Sequence, residues 1–295
     1  MTVRTPVLRS RNLADAAPRA AFDRLVRRAV AGDGASPFND QALIDAGDGS
    51  RSLVFAVAPP ESPSAAELLV GAVLIGQGEL ELVVDPEWRG TGVGTAMLTG
   101  ILLDAPGDLL AWAHGDHPAS RALATRFGFE RVRTLLQLRM PLEPGDDIPP
   151  LPDGITTFRP DIDDAEWVEL NARVFADHPE QGRITVDDVR ARRAEPWFDA
   201  GDFLLARDDA GRMIGYNWLK IDGESGEIYV IGVGEPGRGL GRQLMVAGLD
   251  RLRERGVTTA SLYVEGDNER AVALYRSLGF TDHTVDIQYR RGATA

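Results

Sequence analysis

A glycine-rich motif occurs twice in the chain, as Trp88-Arg89-Gly90-Thr91-Gly92-Val93-Gly94-Thr95-Ala96-Met97-Leu98 and as Gly237-Arg238-Gly239-Leu240-Gly241-Arg242-Gln243-Leu244-Met245. Each copy follows an apolar β-like run, at 80–84 and 228–233, and opens a helical pattern. Glycine lets a ligand come close to backbone N–H groups, and the first N–H groups of a helix lie unpaired at its positive end. The doubled motif therefore predicts a protein built around a phosphorylated ligand.

Composition places the chain among soluble globular proteins of about two domains. It has 295 residues, of which 43% are hydrophobic and 26% charged, and this size is near the limit for a single core. A net charge of −13 disfavours a nucleic-acid binder, which needs a basic surface. No apolar run reaches the roughly 18 residues that span a bilayer, and residues 1–20 lack an apolar signal core. We expect a cytoplasmic monomer that binds neither membrane nor nucleic acid.

The cysteine and lysine content narrows the chemistry. Because the chain has no cysteine, it has no disulfide, thiolate metal site or cysteine nucleophile, so acyl transfer must use another nucleophile or run directly from donor to acceptor. The sequence near His114 and His117 offers no obvious third metal ligand, so no metal site is predicted. Lys220 is the only lysine among many arginines. This points to a functional residue or to a chance survivor of codon bias on a solvent-facing strand.

The two halves of the chain repeat one α/β plan. Residues 141–154 are rich in proline, glycine and acids and predict a linker. The predicted domains are therefore residues 1–140 and 155–295. Residues 112–117 align with residues 263–268 near the end of each half. Each half is expected to hold a mixed central sheet flanked by helices.

The pattern Arg89-x-x-Gly92-x-Gly94 resembles the acetyl-CoA motif of the Gcn5-related N-acetyltransferases, the GNAT family, and the run 268–280 resembles a second motif of that family. The resemblance implies two tandem GNAT domains with acetyl-CoA as co-substrate, whose pyrophosphate the loop amides hold. The second loop departs from the pattern. It is two residues shorter and carries Pro236, which has no N–H to offer, so Arg238 is expected to supply the missing positive contact.

Nearly the whole chain is similar to a tandem member of this family that acetylates the cysteinyl amine of a glucosaminyl-inositol. The segments that carry this likeness are 37–41, 112–115, 178–182, 218–220, 227–233 and 262–268. The resemblance implies substrate contacts from Asp40, Glu180, Lys220, Glu227 and Tyr263. It implies acetyl-CoA contacts from Leu82, Val83, Val84, Gly90, Thr91, Gly92, Val93, Gly94 and Thr95 in the first half. In the second half it implies contacts from Ile231, Gly232, Val233, Arg238, Gly239, Leu240, Gly241, Arg242, Asn268, Glu269, Arg270, Ala271, Val272 and Ala273.

Direct acetyl transfer needs a neutral amine and a protonated leaving sulfur. An α-amino group has a pKa of about 7.7–8.0, so a modest base is sufficient, and Glu227 is the candidate. Glu227 is alternatively an electrostatic partner of the ammonium, or a solvated carboxylate at a strand end. Tyr275 is the candidate proton donor to the sulfur, and is alternatively a core tyrosine. Backbone N–H groups near residues 232–233 are expected to stabilise the developing oxyanion.

A gapless comparison of the halves assigns the chemistry to the second. Tyr275 aligns with Ala124, and Glu227 aligns with Gly78. The nearest acids, Glu79 and Glu81, are offset by one and three, and an odd shift on a strand moves a side chain to the opposite face. The first domain is therefore predicted to be a binding or structural domain, and the second to be the catalytic domain. Two other functions stay open, an N-acetyltransferase for another small amine and a non-catalytic acyl-CoA sensor.

Overall fold

The computed structural model describes residues 5–59, 67–104, 107–143, 148–176, 181–235, 237 and 239–292, apart from the side chains of Asp40 and Asp104. The chain divides into two compact units. The first comprises residues 1–136, 265–267 and 284–295, and the second comprises residues 137–264 and 268–283. None of the described helices is long and apolar enough to cross a membrane.

The N-terminal half of the chain contains six strands and four helices in its described residues. The strands are β1 (Val7–Arg11), β2 (Ser52–Ala58), β3 (Leu68–Gly76), β4 (Glu79–Val84), β5 (Leu109–Ala113) and β6 (Glu130–Pro141). The helices are α1 (Ala16–Asp33), α2 (Asp40–Asp48), α3 (Val93–Asp104) and α4 (Pro118–Phe127). Strands β1 to β4 are joined antiparallel in order, and β4 then pairs parallel to β5.

The C-terminal half repeats this order. Its strands are β7 (Ile155–Thr157), β8 (Phe203–Arg207), β9 (Met213–Asp222), β10 (Ser225–Val233), β11 (Thr259–Glu265) and β12 (Thr281–Arg291). Its helices are α5 (Asp164–Val174), α6 (Val186–Arg193), α7 (Leu240–Glu254) and α8 (Glu269–Ser277). Strands β7 to β10 are antiparallel neighbours, and β10 pairs parallel to β11.

In the first unit the sheet separates two apolar layers. Leu80, Leu82 and Val84 pack with residues of α3 and α4, whereas Val83 packs with residues of α1 and α2. Successive side chains of a strand point to opposite faces, so the odd-numbered residues 79–83 of β4 face α1 and α2. Two glutamates, at 79 and 81, lie in this odd-numbered set.

The second unit has the same two layers. Phe203 and Leu205 of β8 pack with the aromatic cluster beside α5, whereas Leu204 and Ala206 pack with residues of α7. Helix α7 buries Leu244, Met245, Ala247, Leu249 and Leu252, at the spacing that places them on one helical face. The sheet face beside α7 is thus distinct from the face beside α5.

The last strand of the chain pairs within the first unit. Residues 287–291 of β12 are antiparallel to residues 109–113 of β5. This pairing was not indicated by the sequence pattern, which treats residues 155–295 as one domain, and those predicted domain bounds stay a prediction. Within the predicted linker, Leu142 is buried and its N–H bonds to Thr258 O at 2.8 Å, whereas residues 144–147 lie outside the described residues.

Candidate acetyl-transfer site

In each unit a parallel strand pair separates part of the way along its length. The register of β4 and β5 covers residues 79–81 against 110–112, and that of β10 and β11 covers 225–228 against 259–262. Beyond these described pairs the strands diverge, so residues 82–84 and 231–233 turn one backbone edge towards a gap. Such an edge offers N–H and C=O groups to an extended ligand. Both segments were predicted to contact acetyl-CoA.

A cavity of about 490 Å³ occupies the gap of the first unit. Its walls include residues 82–84 of β4, residues 111–114, and residues 119, 120 and 122–124 of α4. The predicted cofactor residues Gly90, Gly92, Val93, Gly94 and Thr95 also line it. Thr91 instead donates its hydroxyl to Trp88 O at 2.6 Å. Ala124, which aligns with Tyr275, faces this cavity, so its small side chain leaves room for a ligand.

The first glycine loop presents the start of α3 to the cavity. Gly90 and Gly92 have φ of 72° and 92°, values that glycine adopts without strain. Helix α3 begins at Val93, so its first N–H groups lack partners inside the helix. Arg89 binds Asp33 through both Nη atoms, at 2.6 and 2.7 Å, and this hydrogen bond raises the pKa of Arg89. The Arg89 guanidinium therefore ties the loop to the end of α1.

The second loop keeps the same plan with fewer described residues. Gly237 and Gly239 have φ of 114° and 75°, and Gly239 is the residue before α7. Arg242 donates from Nη1 to Ser277 Oγ at 3.0 Å. Asn268 accepts a hydrogen bond from Ala271 N at 3.1 Å and so caps α8. Residues 268–273 thus form the N-terminal part of α8, as a cofactor-binding helix start requires.

Glu227 and Lys220 lie opposite each other on adjacent strands. They are register partners in β10 and β9, and both are half-buried. A Cβ on the preceding Gly226 would meet Leu252 of α7, so Glu227 points to the other face, beside α5 and α6. The Lys220 ammonium is 5.5 Å from the Trp197 ring centroid, and Trp197 packs against the cluster on that face. The predicted base and the only lysine thus share one face.

Tyr275 and Tyr263 lie in different environments. Tyr275 is 7% exposed, its ring centroid is 6.2 Å from that of Phe280, and burial raises its pKa to about 12. Its phenol is therefore protonated at neutral pH, as a proton donor requires. Tyr263 is 47% exposed, and its hydroxyl accepts a hydrogen bond from Gln137 Nε2 at 2.8 Å.

Three predicted site residues, and also Pro236, lie wholly or partly outside the described part of the chain. Glu180, Pro236 and Arg238 are not described, and helix α2 begins at Asp40, whose side chain is not described. The roles predicted for these residues stay predictions.

The sheet register corrects the gapless comparison of the halves. A one-residue bulge separates Ile228 from Val230 in β10, and β4 has no register shift in its described pairs. Counted through the bulge, Glu227 pairs with Lys220 and Ser261, as Glu79 pairs with Gly76 and Leu110. Glu79, not Gly78, therefore occupies the position of Glu227. The prediction that the first half lacks a carboxylate at this position is wrong, because the extra residue in β10 shifts the alignment of the residues before it by one.

A buried charge cluster, which sequence reasoning missed, surrounds Arg51 in the first unit. Its Nε donates to Asp45 Oδ2 at 3.0 Å, and its Nη2 donates to Glu79 Oε2 at 2.8 Å. The Nη1 atom is 3.6 Å from Glu81 Oε1. The guanidinium is only 5% exposed, so these ion pairs are little screened by solvent. The Glu79 carboxylate is therefore held by a fixed cation.

Glu81 joins this cluster to the strand gap. The side chain is fully buried and accepts hydrogen bonds from Asn39 N at 2.8 Å and Asn39 Nδ2 at 2.6 Å. Its Oε2 is 3.3 Å from Nε2 of His114, whose Nδ1 is 2.9 Å from Asp286 Oδ2. Asp286 also accepts from Gly115 N at 3.0 Å. The imidazole is thus held between carboxylates of β4 and β12.

The two carboxylates keep His114 protonated at neutral pH. Burial alone lowers the pKa of this imidazole, but hydrogen bonds and charge from Asp286 and Glu81 outweigh it and raise the pKa to about 9. His117 has a different role, since its Nδ1 accepts from Ala119 N at 3.2 Å and caps α4. The sequence signal for the cluster was the alternation Glu79-Leu80-Glu81-Leu82, which places two acids on a face of β4 that packs inward.

Comparison with known proteins identifies relatives along almost the whole chain. A model described as the acetyltransferase (GNAT) family matches residues 167–280. A protein named mycothiol acetyltransferase from Clavibacter sepedonicus is 48% identical over 279 residues, covering 90% of each chain. Another of that name from Salinispora arenicola is 45% identical over 291 residues, covering 90% of this chain and 91% of the relative.

Solved structures share the fold at low sequence identity. A GCN5-related N-acetyltransferase from Sphaerobacter thermophilus has a TM-score of 0.73 and 22% identity, covering 99% of this chain and 98% of that chain. A tandem GNAT protein from the clavulanic acid biosynthesis pathway has a TM-score of 0.68 and 20% identity, covering 98% of this chain and 99% of that chain. The predicted α/β fold of two tandem GNAT domains is confirmed.

Proposed function

Because this chain belongs to the mycothiol acetyltransferase family, we propose that it transfers the acetyl group of acetyl-CoA to the cysteinyl amine of desacetylmycothiol, a cysteinyl glucosaminyl-inositol, giving mycothiol and CoA. Family membership confirms the predicted enzyme class, an acetyl-CoA-dependent N-acetyltransferase, and the resemblance to mycothiol synthase. The substrate is a small molecule. We further propose that the enzyme acts as a monomer in the cytoplasm.

The observation that carries the mechanism is the grouping of chemical residues in the second unit. The glycine loop before α7, residues 231–233 of β10 and the start of α8 at Asn268 all belong to this unit. Glu227 lies in β10 just before the bulge, on the sheet face beside α5. We propose that acetyl-CoA lies along this edge, with its pyrophosphate at the loop amides.

Glu227 is proposed to receive the proton of the acceptor ammonium. An α-amino group with a pKa of about 8 is mostly charged at neutral pH, but neutralising it costs only about 1 kcal/mol. A half-buried carboxylate acting directly or through one water meets this modest need. Lys220, its register partner, is proposed to orient that carboxylate and to bind hydroxyl groups of the acceptor, together with Asp40, Glu180 and Tyr263.

Tyr275 is proposed to donate its proton to the departing CoA sulfur. A thiol has a pKa of about 8.5, so the thiolate is a good leaving group and needs one proton. Burial keeps the phenol protonated, with a pKa of about 12. The tyrosine would then regain a proton from solvent or from the acid that Glu227 has become. Backbone N–H groups near residues 232–233 are proposed to stabilise the negative charge on the carbonyl oxygen.

The substrate assignment is tested with purified protein, acetyl-CoA and a panel of amines, read by mass spectrometry. We expect acetylation of the cysteinyl glucosaminyl-inositol and of no simple polyamine or aminoglycoside at a comparable rate. If another amine gains the acetyl group and this one does not, the specific function is refuted and a general small-amine acetyltransferase remains. If no amine is acetylated but acetyl-CoA binds, the acyl-CoA sensor is supported instead.

The catalytic assignment is tested by a matched pair of substitutions. We expect Glu227→Gln to lower kcat at least tenfold while leaving acetyl-CoA binding intact, because the amide cannot take a proton. Glu79→Gln makes the same change at the equivalent register position of the first unit, and we expect its kcat to stay within about twofold of wild type. Equal effects of the two substitutions would overturn the assignment of catalysis to the second unit.

A further inference from the structure

We propose that the His114–Glu81 ion pair closes the acceptor side of the strand gap in the first unit, so that an acetyl thioester held in the first cavity is shielded from amines. This inference rests on the proposed binding of acetyl-CoA by the first unit. The ion pair lies at the point where β4 and β5 separate, because Glu81 and Trp112 form the last described register pair. His114 follows two residues later and reaches back to Glu81 at 3.3 Å.

The ion pair lies on the face from which an acceptor would approach. In the second unit, Glu227 and Lys220 lie on the face beside α5, opposite α7. The equivalent face of the first unit is the one beside α1 and α2. Glu81 points to that face, as its hydrogen bonds from Asn39 at the start of α2 demonstrate. The glycine loop and most of the cavity wall lie at the other face, with α3 and α4.

The two side chains at this opening are buried or nearly so. Glu81 is fully buried and the His114 ring is 11% exposed. Glu81 is also next to the Arg51 guanidinium, and Asp286 binds the other nitrogen of the ring. Both ring nitrogens of His114 are thus engaged, so the imidazolium has no N–H to offer to a thioester. The His114 ring therefore blocks the opening without offering a hydrogen bond to the ligand.

The second unit has no ionised side chain at the place of Glu81. Counted through the bulge, Val230 pairs with Trp218 as Glu81 pairs with Leu74, and Tyr229 is the extra residue. The Tyr229 hydroxyl accepts a hydrogen bond from Arg192 Nε at 3.1 Å, which draws it towards α6. The two units therefore have a glutamate at the same register position, Glu79 or Glu227. They differ in the side chain at the position of Glu81.

The imidazolium resembles the group that it excludes. It is a nitrogen cation held among carboxylates, Glu81 and Asp286, with Glu79 and Asp45 beyond Arg51. A primary ammonium has the same charge and is smaller. Removing the ring without removing these acids should therefore leave an opening suited to a small amine. The first unit would then be expected to accept a nucleophile that the native protein keeps out.

Hydroxylamine is a suitable probe of this opening. Its nitrogen attacks the thioester carbonyl carbon, so that a C–N bond forms and the C–S bond breaks. The sulfur leaves as the CoA thiolate, the nitrogen gives its proton to the buffer, and the products are acetohydroxamic acid and CoA. Because the chain has no cysteine, every thiol detected by a disulfide reagent comes from CoA.

The experiment compares His114→Ala with His114→Gln, both in the Glu227→Gln background to silence the second unit. Glutamine keeps most of the side-chain volume, whereas alanine opens the gap. With acetyl-CoA saturating and the uncatalysed rate subtracted, we expect His114→Ala to release CoA at least tenfold faster than the background variant. We expect His114→Gln to stay within about twofold of it. Equal rates for the alanine and background proteins would overturn the proposal.

Two controls separate the proposal from its premise. Calorimetry on the Glu227→Gln protein should give two acetyl-CoA molecules per chain, and a value of one refutes the premise and the proposal together. A second measurement needs no change at His114. With both sites of the Glu227→Gln protein filled, half of the bound thioester should react with hydroxylamine at least tenfold more slowly than the rest. A single rate for both bound thioesters would refute the shielding. This outcome is decisive even if the cavity collapses in the His114→Ala variant.

Discussion

Raising the pH should weaken the first unit through His114. The pKa of this imidazole is about 9 in the folded protein and 6.5 in its ordinary state. Between these values the folded protein binds the proton and the unfolded chain does not, so stability falls as pH rises. The contribution is fully present below about pH 6.5 and is lost as pH passes through about 9. At about 1.4 kcal/mol per pH unit, the difference corresponds to about 3 kcal/mol.

Nuclear magnetic resonance of the histidine rings measures this pKa directly. The chain has four histidines, and His114→Gln identifies the signal of interest. We expect that signal to titrate near pH 9, and Asp286→Asn to lower its midpoint because one of the two carboxylates becomes neutral. Urea unfolding gives the matching stability. The gap between wild type and His114→Gln should narrow by about 3 kcal/mol from about pH 6 to about pH 10. A midpoint at or below 6.5 would refute the reasoning.

Three further substitutions test separate contacts. Tyr275→Phe should lower kcat about tenfold or more with little change in KM for acetyl-CoA; an unchanged kcat identifies a core tyrosine. Gly232→Ala would place a Cβ 2.5 Å from the Tyr216 hydroxyl, and thermal unfolding should reveal a loss of about 1–3 kcal/mol. Arg51→Met leaves Glu81 and its neighbouring acids without their shared cation, so urea unfolding should reveal a loss of about 3–5 kcal/mol; a neutral effect would contradict the importance of that cation.

Local signals in the sequence were sufficient for the fold and for the two glycine loops. A strand, a glycine turn and a helix follow one another within about 25 residues in each half, and no distant contact is needed to recognise them. The same holds for Asn268, whose side chain caps α8, since capping depends on residues three positions apart. These features were predictable because the chain segments that form them are continuous.

The positions and partners of the carboxylates depend on tertiary contacts, which cannot be inferred from the order of residues along the chain. The bulge at residues 228–230 adds one residue to a strand without a glycine to mark it, so a gapless comparison placed Glu227 against Gly78. The ion pairs of His114 join β4, the end of β5 and β12, across 172 positions of the chain. A histidine read in isolation gives no indication of which two acids will enclose it.

The bulge and the ion pair together explain how duplicated units can diverge without losing the carboxylate. Both units place a glutamate at the same register position, Glu79 and Glu227. In the first unit Arg51 neutralises that glutamate, and His114 with Glu81 fills the space directly beyond it. In the second unit Val230 stands at the register position of Glu81, and the Tyr229 hydroxyl accepts a hydrogen bond from Arg192. We therefore propose that catalysis depends on what surrounds the glutamate, because a carboxylate is a base only where an amine can reach it.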